Sequence, residues 1–162
     1  MSKIAGIDFQ RVVSYEKLSK NTKERLNSVN NIFTGIQWEC VEFVRRWYIL
    51  NFGVSFQEIP TAIDIIGIRF VYPLKPLRKS KNISFHFRRD WTNLRIGDII
   101  VFGRSNKFPD GHVAIVSFRD KDNIYLSEQN FSNKWESPQY SRKIIIHDIL
   151  KKGVLGYKSI TH

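Results

Sequence analysis

The hydrophobic spacing of this chain changes period part of the way along, and that change limits the folds open to it. From Cys40 to Phe52, the residues Val41, Val44, Tyr48 and Phe52 recur at helical intervals, with Phe43, Trp47 and Leu50 between them. Apolar positions three and four apart fall on one face of a helix, so this stretch predicts a helix with a broad buried face, stopped by Gly53. Later the apolar runs become short and branched: 99–102, 113–118, 124–127 and 143–146, with 154–160 as a last candidate. Gly97-Asp98 and Pro109-Asp110-Gly111 precede the first two, and 120–123 reads as a hairpin turn between the second and third. Short branched runs bounded by turn residues are strands. Helices first and an antiparallel sheet after is the α+β order.

The remaining segments are less regular. Residues 1–13 read as a short strand or an extended lid. Residues 14–31 read as loop and short helix around a weak stripe of Tyr15, Leu18, Leu26, Val29 and Ile32. Pro60 to Phe70 predicts a second helix, with Pro60 near its start and Pro73 and Pro76 beyond its end. Residues 73–93 suggest a surface loop or short strand. A length of 162 residues suits one domain spanning 1–162, with 1–35 as an N-terminal segment. The apolar share of 42% excludes a disordered chain. No apolar run is long enough for a membrane span, and the first residues lack a secretory apolar core. A free thiol fits a reducing, cytoplasmic setting.

Charge constrains partners more than fold. There are 26 basic against 15 acidic residues, a net +11. The densest basic group is Lys75, Arg78, Lys79 and Lys81, followed by Arg88 and Arg89. No aromatic-basic nucleic-acid motif accompanies it, so a solvated basic surface is expected and no nucleic-acid partner.

Cys40 is the only cysteine and cannot form an internal disulfide. At the start of a helix it would meet unpaired N–H groups and the positive end of the helix dipole, which favour an anion. The attacking form of a thiol is the thiolate, so this placement matters. His112 follows a glycine and opens an apolar strand, sharing a face with Ala114 and Val116. Glu128 lies on the next strand, and a hairpin between them would set the two side by side. A thiol, a histidine and a carboxylate in this arrangement are the parts of a cysteine hydrolase. Taken singly, each has a plain structural use: core filler, strand histidine, surface charge. His86, His147 and His162 fit the role less well. One cysteine without a His-x-x-His or Cys-x-x-Cys pair disfavours zinc, and the chemistry needs no cofactor.

The stretches Trp38-Glu-Cys-Val-Glu-Phe-Val-Arg-Arg46, Leu50-Asn-Phe-Gly-Val54, Arg69-Phe70, Gly97-Asp-Ile-Ile-Val-Phe102, Gly111-His-Val-Ala-Ile-Val116 and Glu128-Gln-Asn130 resemble the CHAP family of cysteine, histidine-dependent amidohydrolases and peptidases. Within it they are most similar to the amidase domains of glutathionylspermidine synthetase/amidases. The resemblance implies a papain-like α+β fold, with N-terminal helices packed on a C-terminal antiparallel sheet. It implies Cys40 as nucleophile, His112 as general base and later acid, and Glu128 as the orienting third residue. It puts Arg45 and Asn130 near the substrate, and makes the residues before Cys40 a candidate lid. The implied substrate is a polyamine–glutathione conjugate or a related peptide-like amide, cleaved through a thioester.

Two departures stand out. Glu39 replaces the glutamine usual before the nucleophile, and an anion there opposes thiolate formation and oxyanion donation. No ATP-grasp synthetase domain lies in these 162 residues. A net +11 would also repel a polyamine conjugate unless Glu39, Glu42 and Glu58 dominate locally. Two other readings are a peptidoglycan-cleaving CHAP hydrolase and a weakened module that binds an anionic partner through residues 75–89.

Overall fold

Two β-hairpins come before the predicted helix in a computed structural model that describes residues 2–18, 23–75 and 81–160. Strand β1 (Ile4–Ile7) pairs with β2 (Val13–Tyr15), and β3 (Leu26–Val29) with β4 (Ile32–Ile36), both antiparallel. This corrects the expectation of loop and short helix over 14–31. The turn between β3 and β4 is Asn30-Asn31, with φ of 51° and 63° and Val29 opposite Ile32. Two consecutive left-handed residues match the right-handed twist of a hairpin, and asparagine tolerates that conformation better than most residues.

Helix α1 (Cys40–Phe52) has the predicted bounds. Gly53 caps it at φ 63°, its N–H donating to the carbonyls of Ile49 and Tyr48. The second predicted helix is only a 3-10 turn over Ala62–Gly67, and Phe70 has already joined a strand. Isoleucines 63, 65, 66 and 68 leave this segment few good helix formers, and Gly67 weakens it further. Its start is tied by the N–H and hydroxyl of Thr61, which donate to Asp64 at 2.9 and 2.7 Å. One α-helix therefore takes the place of the expected N-terminal helices.

An eight-stranded antiparallel sheet completes the α+β fold. It comprises β5 (Val54–Ser55), β6 (Phe70–Pro73), β7 (Ile83–Arg88), β8 (Ile99–Phe102), β9 (His112–Arg119), β10 (Asn123–Ser127), β11 (Arg142–Ile145) and β12 (Val154–Ile160). Their order across the sheet is β11-β10-β9-β8-β12-β7-β6-β5. All of the strands predicted after residue 98 are present. Within the 73–93 stretch, β7 is a full sheet member. Of the basic group near it, Arg78 and Lys79 lie outside the described residues, as does His162.

Alternation along the strands builds two cores. Ile99, Val101, Val113 and Ile115 pack against Phe43, Val44, Trp47 and Tyr48 of α1. Ile100, Phe102, Ala114 and Val116 point the other way, onto Ile124, Leu126, Ile144, Ile149 and Tyr157. A buried lysine joins the 3-10 segment to the sheet. Lys158 of β12 donates to the carbonyls of Ile68 at 2.6 Å and Phe85 at 2.9 Å, and burial pulls its pKa down to about 8.

Candidate active site

Cys40 is the first residue of α1 and is 7% exposed. The first main-chain bond of the helix runs from the Phe43 N–H to the Glu39 carbonyl, so the N–H groups just before Phe43 precede the intrahelical ladder. The helix axis thus presents donors and a positive dipole end where a thiolate and an oxyanion would form.

His112 comes to Cys40 from the first position of β9. Gly111 makes this approach possible. It has φ of 79°, and a Cβ there would fall 2.9 Å from Ile63 Cβ and 3.1 Å from the Phe102 carbonyl oxygen. Only glycine combines that backbone with that clearance. The imidazole stacks on Phe108, with ring centres 4.4 Å apart, and lies 5.6 Å from Phe102. Its Nε2 is 2.7 Å from Glu128 Oε1, and Cys40 lies close enough to favour the charged form of the ring.

Glu128 lies one step beyond β10, past the pairing of Ser127 with Ile115. The predicted hairpin therefore brings it to His112 as expected. Its second partner does not follow from the spacing of the motifs. Arg142 of β11 donates from Nε to Glu128 Oε2 at 2.8 Å and from Nη2 to Oε1 at 2.9 Å.

Burial dominates the electrostatics of both groups, and their partners overcome it. The side chains of His112 and Glu128 are each 1% exposed. Burial opposes a charged His112, but Cys40 and Glu128 raise its pKa to about 9. Burial would push Glu128 up, yet Arg142 and His112 hold it at about 2. The folded pKa of His112 is raised, so its contribution to stability is full below the unfolded value of about 6.5 and is lost as pH rises through about 9. The folded pKa of Glu128 is depressed, so its contribution is present above about 4.3 and is lost as pH falls through about 2. Together they stabilise most between roughly pH 4.3 and 6.5.

Glu39 does not point its charge at the thiol. Its carboxylate accepts a hydrogen bond from Asn130 Nδ2 at 2.7 Å and pairs with Lys17 Nζ at 2.7 Å. Lys17 is fixed in turn on the Gln37 carbonyl at 3.0 Å. The anion expected to oppose activation is thus balanced by a lysine from the N-terminal segment. Asn130, which also lines the cleft, stands at φ 60°.

Arg45 is among the residues lining the cleft, but its guanidinium is committed to the protein's own main chain. Its guanidinium is buried above the Phe56 ring, 4.6 Å from the centroid. It donates to the carbonyls of Thr34, Phe56 and Gln57, pinning β4 to the segment after β5.

Beneath the helix start lies a polar network that no sequence motif announces. Glu42 is fully buried and binds Arg46 Nε at 3.0 Å, Asn27 Nδ2 at 3.1 Å and Gln129 Nε2 at 3.0 Å. Arg46 reaches on to the Val13 carbonyl at 2.7 Å and Gln129 Oε1 at 2.8 Å. Gln129 also donates to the Glu39 carbonyl and accepts from the Tyr15 N–H. This network ties both N-terminal hairpins to the helix that carries Cys40.

Cys40 and His112 line a cleft of about 540 Å³, with Glu128 buried behind the histidine. Phe33, Gly35 and Ile36 of β4 form one wall, and Pro60 to Ala62 and Lys107 to Gly111 the other. Glu24, Glu58, Asp110 and Lys107 are its exposed charged lining residues. A separate hollow of about 530 Å³ is lined by His86, Arg88, Arg95 and Ser159, away from the thiol. Among the described residues no group of three or more His, Cys, Asp or Glu side chains is arranged to hold a metal, and no helix is long and apolar enough to cross a membrane.

The family model for the CHAP domain matches residues 31–130. A bifunctional glutathionylspermidine synthetase/amidase of Escherichia coli (strain K12) is 30% identical over 108 residues, which are 63% of this chain and 16% of that protein. A trypanothione synthetase of Crithidia fasciculata is 26% identical over 118 residues, 71% of this chain and 18% of that one. The chain therefore spans under a fifth of the length of these relatives. A crystal structure of Ly7917 is similar at 16% identity with a TM-score of 0.49, covering 75% of this chain and 53% of that one.

Proposed function

This chain belongs to the CHAP domain family, and we propose that it is a cysteine amidase acting on a glutathionylspermidine-like amide. The observation that carries the reading is the line of Cys40, His112 and Glu128 at the head of α1, whose first two members line a cleft that also bears Glu24, Glu58 and Asp110. The relatives' names point the same way. A rim of carboxylates suits an amide whose amine part carries positive charge. It answers the objection raised by the net +11, because fields focused in a cleft outweigh the diffuse charge of a screened surface.

In this mechanism the Cys40 thiolate attacks the amide carbon, forming the C–S bond while N–H donors of the first helical turn receive the oxyanion. Protonated His112 gives its proton to the leaving nitrogen as the C–N bond breaks, so a neutral amine departs and a thioester remains. Neutral His112 then takes a proton from water as the hydroxide oxygen bonds to the acyl carbon. Collapse expels Cys40 as thiolate and regenerates the ion pair. Glu128 keeps the imidazole in the orientation that serves both steps.

The direction of the His112 shift sets the expected pH profile. Hydrolysis needs the imidazolium as proton donor, so kcat/KM is expected to fall as pH rises through about 9. Alkylation of Cys40 by iodoacetamide needs no such donor and should persist there. Loss of both reactions together, or amide hydrolysis still rising above that pH, would count against His112 as the acid.

Substrate class is tested by release assays. The protein is expected to liberate spermidine from glutathionylspermidine at least about tenfold faster than it cleaves the same acyl group from a neutral amine, a difference on the scale of one or two partly screened charge pairs. Equal rates would remove the argument from the acidic rim. Clearing of a peptidoglycan suspension with no release from the conjugate would transfer the assignment to a wall hydrolase.

A further inference from the structure

We propose that Arg142 is a fourth, positioning member of the catalytic line, which keeps Glu128 ionised and fixes the plane of its carboxylate so that His112 stays protonated and aimed at Cys40. The proposal rests on the amidase reading for its chemistry, but its geometry stands apart from any substrate. Arg142 grips both oxygens of Glu128 in a fork, at 2.8 and 2.9 Å, and the Oε1 it holds is the oxygen that contacts His112 at 2.7 Å. A two-point grip fixes a carboxylate plane in a way that a single contact cannot.

The guanidinium is itself immobilised. It lies 3.6 Å from the centre of the Phe131 ring and 4.5 Å from that of Phe102. Phe102 also packs near the His112 ring, and Phe131 is flanked on its own account by Lys107, whose Nζ sits 3.8 Å from the ring centre. The same two rings therefore confine the arginine and close the site around the histidine. Cation–π attraction is strongest where water is excluded, and Arg142 keeps only 14% of its side chain exposed.

The need for a cation follows from the surroundings of Glu128. Among the described groups around this carboxylate, Arg142 and His112 supply the positive charge, and burial opposes its ionisation. With Arg142 neutralised, burial would favour moving the proton from His112 to Glu128, leaving a neutral imidazole and no ion pair to stabilise the thiolate. Arg142 touches neither substrate nor the reacting atoms in this scheme. It acts through Glu128.

The test uses the full chain and reads His112 directly. Nitrogen NMR of the wild-type imidazole at pH 7 is expected to show the doubly protonated ring. In Arg142→Met the same ring should be neutral, with kcat/KM lowered about 100-fold, as found when a supporting partner of a reactive group is removed. Arg142→Lys, which keeps the charge but loses the fork, should restore the protonated ring and recover only part of the activity. A folded Arg142→Met with His112 still doubly protonated would overturn the proposal, as would Arg142→Lys at full wild-type rate. If Arg142→Met does not fold, the lysine variant decides alone: a protonated ring with partial activity supports the proposal, and a neutral ring or full activity overturns it. If no amide is cleaved by the wild type, the amidase reading fails while the NMR comparison still decides the role of Arg142.

Discussion

Cys40→Ala is expected to lower kcat/KM for the conjugate by at least about 10⁴-fold, the scale seen when a nucleophile acting within a unit is removed. Folding should survive the change. The lost sulfur borders the cleft at the first residue of a helix, so the vacancy opens toward a space that solvent can fill. Alanine is also a strong helix former. The thermal midpoint should therefore stay within a few degrees of wild type, by the usual scaling for a chain of this size. The informative measurement is the pair of numbers together. Turnover within tenfold of wild type would end the nucleophile assignment, whatever the melting curve showed. A lost activity accompanied by a collapsed melting transition would instead make Cys40 a packing residue.

The largest stability effect should come from Arg46→Ala. The substitution leaves Glu42 fully buried with Asn27 and Gln129 as its side-chain donors among the described residues, and strips a donor from the Val13 carbonyl. Removing one partner of a buried ion pair costs about 3–5 kcal/mol, because the remaining charge stays desolvated and uncompensated. For a chain of this length that corresponds to a fall in thermal midpoint of roughly 6–20 °C. Adding Glu42→Gln to the variant should recover part of the loss, since the stranded charge is the main cost. Chemical denaturation of the single and double variants checks both points. A single-variant loss below about 1 kcal/mol would mean that the pair behaves like a surface salt bridge.

Features written into neighbouring residues are legible in the sequence, and features that depend on distant register are not. Helix α1 and its Gly53 cap follow from residues within four positions of one another, and so do β8 to β12. The Asn30-Asn31 turn is also local, but two asparagines between weak apolar runs are overshadowed by the polar, lysine-rich stretch around them. The segment after Pro60 has an apolar count that suits a helix. Its branched residues and Gly67 limit it to a single 3-10 turn. Cys40, His112 and Glu128 can be paired because a hairpin and a helix start are visible in sequence. Arg142 cannot, because its meaning depends on the register that sets Leu126 against it across two strands. Arg45 shows a related gap. Helical spacing says which face a residue takes, but not that Thr34, Phe56 and Gln57 carbonyls wait on that face. Glu39 reads as unfavourable beside the thiol because Lys17, far upstream, cannot be matched to it from spacing alone.

Strand β12 has a consequence for how the protein is made. It is the last strand of the described chain, yet it lies between β8 and β7 in the middle of the sheet. On a ribosome, every other strand emerges before the one that joins the two halves. Until it arrives, β8 and β7 each present an unpaired edge, the kind that recruits strands from other chains. The nascent domain therefore has two half-sheets waiting for one closing piece, and its sheet is complete only once β12 has emerged. Shortening the chain by the length of β12 should yield aggregation-prone halves and not a slightly smaller domain.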